Sequence, residues 1–263
     1  MKSDFSVVRF RSCRWWALAV SFSLPALILA QTPKPADSKT YPALPRVVIP
    51  KLRGSINIDG DLNEPVWSKA AVIKPLLNND GSGPGREQTE VRLWYDDTAL
   101  YVGWTCIDSD IQATFTNRDS HFWDEEVVEF FVTPNELKRY FELQWNPLGG
   151  VYDSIVDNKM DERWVSTNYT GDATFTAMGM TNAAKVKGTV GDSSDKDESW
   201  QVEVMIPFAA LGQAMPKPKD VWRANFYRYD REKDRPVNYL SWSPTMVPDF
   251  HQPSRFGYLE FGK

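Results

Sequence analysis

The side chains best placed to do chemistry in this 263-residue sequence lie between positions 119 and 146. The run 127–132 is apolar except for one acid, Glu129. In an extended strand successive side chains alternate between faces. Glu129 therefore shares a face with Val127 and Phe131, while Val128, Phe130 and Val132 point the other way. A carboxylate among so many apolar groups is costly unless it is paired or hydrogen-bonded. The next run puts Tyr140, Glu142, Gln144 and Asn146 on one face and Phe141, Leu143 and Trp145 on the other. As neighbouring strands, the two runs would place Glu129, Glu142, Gln144 and Asn146 on one polar surface. Trp123 lies just before the first run, in a loop beside acidic residues. A planar ring near fixed carboxylates and amides suits a sugar. The ring covers the C–H face of a pyranose, and the polar groups take its hydroxyls. The same pattern also suits a Glu129 that satisfies an internal donor and a Trp123 that plugs the core. The residues alone leave both readings open.

Other chemistry finds less support. The sequence has no G-x-S-x-G, Walker loop, dinucleotide fingerprint or H-E-x-x-H. His121 and His251 are isolated, and with Met246 they are the loop candidates for the axial ligands of a haem-binding sandwich. Glu129 and Glu142, on adjacent strands, could meet the roughly 5 Å separation that a retaining glycosidase needs. A glycoside hydrolase is thus the catalytic alternative to a non-catalytic binder. Asp59, Asp61 and Asn63 have the D-x-D-x-N spacing that begins a calcium loop, although Glu64 stands where such a loop needs glycine. A hydrogen-bonded turn accounts for the same residues. Arg228 with Asp230, and Arg231 with Asp234, read as surface pairs worth little. The acidic run 192–198 reads as a solvated hairpin tip. Cys106, within an apolar strand pattern, reads as a core residue rather than a nucleophile.

The elements that must position these residues are strands. Period-two alternation is clearest at 89–95, 100–105, 140–146, 200–206 and 222–229. Weaker strands are expected at 47–49, 56–58, 72–77, 151–156, 172–178, 183–190, 237–243 and 256–261. Helical periodicity is confined to one turn at 208–211, after Pro207. Many short strands separated by Gly, Pro, Asn and Asp predict an all-β fold, an antiparallel β-sandwich of two packed sheets in the manner of a jelly roll. At 42% hydrophobic and 25% charged, the chain can bury a substantial core. A net charge of −5 argues against nucleic acid as a partner. Two His and two Cys exclude a zinc ribbon and a disulfide framework.

The N-terminus differs in kind from the rest. Arg9, Arg11 and Arg14 precede an apolar stretch that ends near Ala30, the pattern of a signal peptide over 1–30. The stretch is short for a spanning helix. A secreted or periplasmic protein with no lasting membrane span is therefore expected. Removing 1–30, which carry a net +3, leaves a net charge of −8. Residues 31–45 are rich in Pro and polar groups and predict a flexible linker, so one domain is expected over 46–263.

Several segments, taken in order, resemble carbohydrate-binding module family 9 in its stand-alone extracellular form. They are Ile58-Asp59-Gly60 with Trp67, VRLWYDDTALYVGW at 91–104, WDEEVVEFF at 123–131, WQVEVMIPFAAL at 200–211, LSWSP at 240–244 and PSRFGYLEF at 253–261. The resemblance runs from about Val47 to Phe261. It implies a β-sandwich that holds sugar between two tryptophans, supports polysaccharide breakdown beside secreted glycoside hydrolases such as xylanases, needs no cofactor, and often carries structural calcium. The first tryptophan matches Trp123 and the sugar-contacting strand glutamate matches Glu129. Further polar groups match Gln144, where well-known members carry arginine, and Asn146. The second tryptophan is replaced by Phe250, so one wall of the clamp is smaller.

Overall fold

A computed structural model describes residues 41–54 and 56–263. The predicted signal peptide and residues 31–40 of the predicted linker lie outside the described residues. Residues 41–45, assigned above to the linker, are instead held on the domain. The Pro42 carbonyl accepts a hydrogen bond from Arg255 at 3.0 Å and the Pro45 carbonyl one from the Tyr258 N–H at 2.9 Å. The packed chain therefore begins before Arg46, because these donors on the domain reach back to the prolyl carbonyls.

Strands dominate, and no α-helix is present among the described residues. The strands are β1 (Arg46–Ile49), β2 (Ala71–Ile73), β3 (Leu77–Asn78), β4 (Thr89–Tyr95), β5 (Ala99–Ile107), β6 (Val127–Thr133), β7 (Arg139–Trp145), β8 (Val151–Met160), β9 (Ser166–Asp172), β10 (Thr181–Lys187), β11 (Ser199–Pro207), β12 (Val221–Asp230), β13 (Asn238–Ser241) and β14 (Gly257–Phe261). The larger sheet runs β1-β14-β12-β6-β7-β8-β9, with β13 on the far half of β12 and β3 on β13. The smaller sheet runs β10-β11-β5-β4-β2. Pairing is antiparallel except between β1 and β14.

Three weaker expectations shift, each for a local reason. The expected strand at 72–77 splits into β2 and β3 around Pro75, which has no N–H for a ladder. Residues 172–178 turn rather than extend, because the Asp172 carboxylate accepts the Thr174 N–H at 3.0 Å, and the strand lies before them as β9. Residues 56–58 are in no strand; the turn that follows them is pinned by Glu203.

The core lies between the sheets. Val91, Leu93 and Tyr95 of β4, Val102, Trp104 and Cys106 of β5, and Trp200, Val202 and Val204 of β11 meet Val128, Phe130 and Val132 of β6 and Ala224 and Phe226 of β12. Trp104 and Phe226 touch across the sheets, with ring centroids 5.6 Å apart. Burial pushes the Cys106 thiol up to about 12, which keeps it an inert core group. The outer face of the larger sheet is not open either. Phe250 and Phe256, from the segment between β13 and β14, pack on Phe131, Tyr140 and Tyr227. That cover explains why every residue of β6 is buried. It also creates the surroundings of the candidate site.

Candidate functional site

The two runs are neighbouring antiparallel strands, which puts Glu129, Glu142 and Gln144 on one face of the sheet. Glu129 of β6 lies opposite Gln144 of β7 and opposite Tyr227 of β12. Glu142 lies two pairs along, opposite Phe131 and next to Ser154 of β8. The surface is a floor rather than an open face: Glu129 is 2% exposed and Glu142 6%. Gln144 donates through Nε2 to Glu142 at 2.7 Å, and Ser154 donates to the same carboxylate at 3.2 Å. The Gln144 Oε1 atom is buried without a hydrogen bond among the described residues. Asn146 serves the backbone. Its Nδ2 donates to the Phe115 carbonyl and its Oδ1 accepts the Gly150 N–H, both at 2.8 Å. Both of its polar atoms are thus engaged, and Asn146 shapes the β7–β8 turn.

Burial, followed by the charge of Glu142, drives the Glu129 carboxyl well above the usual carboxylate range. Burial pushes Glu142 up to about 7, against the lowering effect of the Gln144 and Ser154 donors. A carboxyl raised in the folded state keeps a proton that the unfolded chain gives up. Its contribution to stability is present at low pH and fades as pH rises through the folded value. His251 works in the opposite sense, since burial lowers it to about 4 from 6.5 and its effect falls below pH 6.5. Between pH 6.5 and about 8 the acids act alone. Thermal unfolding should show stability falling across that window, with Glu142 contributing roughly 1 kcal/mol. Glu142→Gln should remove its share of the slope; an unchanged slope would mean that Glu142 is ionised throughout.

Beside this floor lies a cleft of about 690 Å³. Trp123 and Phe250 both line it, joined by Tyr229 and Tyr239 from β12 and β13. Trp123 sits on a short 3-10 turn, Phe122–Asp124, anchored by buried Phe122. His121 stacks on the indole at 4.6 Å, and Tyr152 stands perpendicular to it at 5.4 Å. The Trp123 carbonyl accepts from Arg231 at 2.6 Å. Phe250 lines the cleft with little of its surface: it is 4% exposed and stacks on Tyr227 at 4.1 Å. The charged groups of the lining are Asp80, Asp124, Asp249 and Arg231. Amides from Asn78, Asn79 and Asn238 complete its polar part. Glu129, Gln144 and Asn146 are not on the lining, so the five predicted ligand-binding residues divide into two in the cleft and three beneath or beside it.

Arg228 is not a surface group. It projects from β12 in phase with Trp222, Ala224 and Phe226, toward the core, and its side chain is fully buried. Its guanidinium donates to Asp108 at 2.8 Å and Asp230 at 3.1 Å, lies 3.5 Å from Glu126, and donates to the Ile107 carbonyl at 2.8 Å. The expectation of a weakly paired surface arginine is thus overturned. The signal was available, because a cation that keeps the apolar phase of its strand must face inward. Burial raises the carboxyls of Asp108 and Glu126, and that of Asp230 to about 6, with Arg228 opposing each rise. Arg231 departs from its expected pairing as well: its guanidinium bonds the Trp123 carbonyl, and its N–H donates to Glu126. Asp197, within the run expected to be a solvated tip, is buried and accepts the Ile111 N–H at 2.7 Å.

The remaining candidates fall elsewhere. Asp61 of the D-x-D-x-N run is paired with Lys185 at 2.7 Å, and Asn63 is exposed. The carboxylates that gather here are Asp59, Glu64 and Glu203. Glu203 already accepts the N–H groups of Asp59 and Gly60 through one oxygen and the Trp67 indole through the other. These bonds pin the turn, and one oxygen from each of the three carboxylates lies within 4.8 Å of the others. His251 is held by the Tyr140 hydroxyl at 2.7 Å and stacked on Tyr169 at 3.7 Å, while His121 rests on Trp123. Met246 lines the cleft. The two histidines share no ring contact.

Comparison with known proteins follows the same outline. The family model for carbohydrate-binding family 9 matches residues 76–261. Endo-1,4-beta-xylanase A of Thermotoga maritima is 26% identical over 212 residues, 80% of this chain but 17% of the xylanase. The chain therefore spans under a fifth of the curated relatives it matches. Among solved structures, a family 9 carbohydrate-binding module from Caldicellulosiruptor kristjanssonii in complex with cellotriose superposes with a TM-score of 0.55 at 17% identity, covering 83% of this chain and 94% of that one. Its complex with glucose gives 0.56 at 19%, covering 83% and 97%. At these identities the superpositions speak for the fold, and two packed, mainly antiparallel sheets are that fold. The match over 76–261 takes in the floor, the cleft and the Arg228 cluster, and on it this chain belongs to carbohydrate-binding family 9.

Proposed function

We propose that the domain binds a neutral saccharide in the cleft beside Trp123 and does not hydrolyse it. The observation that carries this reading is the cleft itself: a partly exposed indole and two tyrosines beside asparagine and aspartate groups, the mixture that meets the apolar and hydroxyl faces of a sugar. The buried Glu129–Glu142 pair supports a non-catalytic role, since neither carboxylate lines the cleft where a glycosidic bond would lie. Three carboxylates face one guanidinium on the lining, which favours a neutral sugar over a uronate. On the reading of residues 1–30 as a signal peptide, the protein acts outside the cytoplasm, in polysaccharide breakdown beside glycoside hydrolases. No helix of the described residues is long and apolar enough to cross a membrane.

Isothermal titration with glucose, xylose, cellotriose, xylotriose and glucuronate is the test. At least one neutral saccharide should bind without release of reducing ends, and glucuronate should bind about tenfold more weakly than glucose. Silence across the panel, or turnover of an oligosaccharide, would overturn the proposal.

A further inference from the structure

On the saccharide reading above, a second aromatic faces the ligand along with Trp123. Phe250 is the residue that sequence position suggests, but its ring is occupied. Tyr227 stacks on it at 4.1 Å and 13°, and its own backbone carbonyl accepts the Tyr227 hydroxyl at 2.9 Å. Tyr229 stands against it at 5.0 Å and 73°, and Tyr239 at 6.1 Å and 83°. With 4% of its surface exposed, Phe250 offers almost nothing to a sugar face. A ring caged in this way is part of the packing that holds the 246–256 segment on the sheet.

Tyr239 also meets neighbouring rings, Tyr229 at 5.2 Å and Phe250 at 6.1 Å, but it differs in exposure. It lies directly opposite Tyr229 in the β12–β13 pairing, so both side chains rise from the same face of the sheet. It is 43% exposed, on a domain whose other cleft aromatics are at least partly covered. An exposed aromatic at the rim of a polar cleft presents a flat apolar surface with a hydroxyl at its tip, the form suited to a pyranose. Its backbone is not free to drift. The Tyr239 carbonyl accepts the Asn79 N–H at 2.8 Å, and Asn238 donates to Asn78 Oδ1 at 2.8 Å. Asn79 is in turn bonded to Thr245 at 2.7 Å and to the Val247 carbonyl at 2.9 Å. The strand is therefore fixed from both sides, and the ring is held in place while much of it stays exposed.

We infer that Tyr239, rather than Phe250, is the second aromatic wall of the saccharide site and sets which sugar faces are accepted. The second wall has moved from the loop to strand β13. A strand-borne tyrosine makes the site depend on the β12–β13 register instead of on loop conformation.

The experiment uses the domain with Tyr239→Ala, Tyr239→Phe and Phe250→Leu, titrated with the tightest-binding of glucose, xylose, cellotriose and xylotriose. Thermal unfolding is recorded for each variant. Tyr239→Ala should weaken binding by about tenfold or more while leaving the melting temperature near that of the parent. Tyr239→Phe should retain most of the affinity, because the ring face is kept. Phe250→Leu should lower the melting temperature and change affinity by less than about threefold. Parental affinity in Tyr239→Ala overturns the inference and leaves the saccharide reading standing. The same holds if Phe250→Leu loses affinity as strongly as Tyr239→Ala while keeping its stability. A parent protein that binds none of the four sugars overturns both.

Discussion

Replacing Arg228 with methionine is expected to cost about 3–5 kcal/mol of folding stability near neutral pH, the penalty for stranding buried charge. The arginine faces Asp108, Glu126 and Asp230 with no solvent contact, and each carboxyl is already raised with the guanidinium present. Burial works against the arginine charge, but these carboxylates hold the proton on Arg228. Without it the three acids must take up protons on folding or repel one another. The native state then binds more protons than the unfolded one, so stability should fall with rising pH and recover in part as pH drops below 6. Chemical denaturation at several pH values measures this directly. Arg228→Met with Asp230→Asn should recover a fraction of the loss, because one of the stranded charges is gone. A single variant within 1 kcal/mol of the parent at pH 7 would show that the cluster is already protonated and neutral.

Replacing Trp123 with alanine is expected to weaken saccharide binding by about 2 kcal/mol or more, roughly thirtyfold, as for a central stacking aromatic. The cost to stability should be smaller, since the ring is only partly buried. Trp123→Phe should fall between the two, keeping a smaller face. Calorimetric titration with cellotriose or xylotriose, paired with a melting curve, separates the two effects. If Trp123→Ala binds as the parent does, the cleft is not the ligand site, and the role assigned to Tyr239 falls with it.

Much of this could be read from the chain before any coordinates. Alternation placed Glu129 and Glu142 on one face of adjacent strands and Val128, Phe130, Leu143 and Trp145 on the other, and the pairing of Glu129 with Gln144 bears this out. The two-sheet sandwich was legible for the same reason: period two is imposed by the pleat itself. What alternation cannot show is the cover. The segment that seats Phe250 and Phe256 on the outer sheet face turns a polar surface into a buried floor. The open binding face read from Glu129, Gln144 and Asn146 thereby becomes a cleft displaced toward β12 and β13. The expected strand at 237–243 contains Val237 and Tyr239, but a strand pattern does not show which of its residues borders a cleft. Arg228 and Asp230 were legible but misread, because a charged pair two residues apart suggests a surface until its phase is compared with Phe226 and Ala224.

The arginine cluster also reaches the cleft. Glu126, facing Arg228, accepts the N–H of Arg231, and the Arg231 side chain grips the Trp123 carbonyl. The wall that would meet a ligand is thus moored to the ionic centre that joins the two sheets. The motional freedom of that wall is surrendered when the chain folds, not when a sugar arrives. On the saccharide reading, such a site is expected to recognise its ligand by lock rather than by closure, with no gating step and with the backbone of residues 122–126 superposing in the free and occupied states.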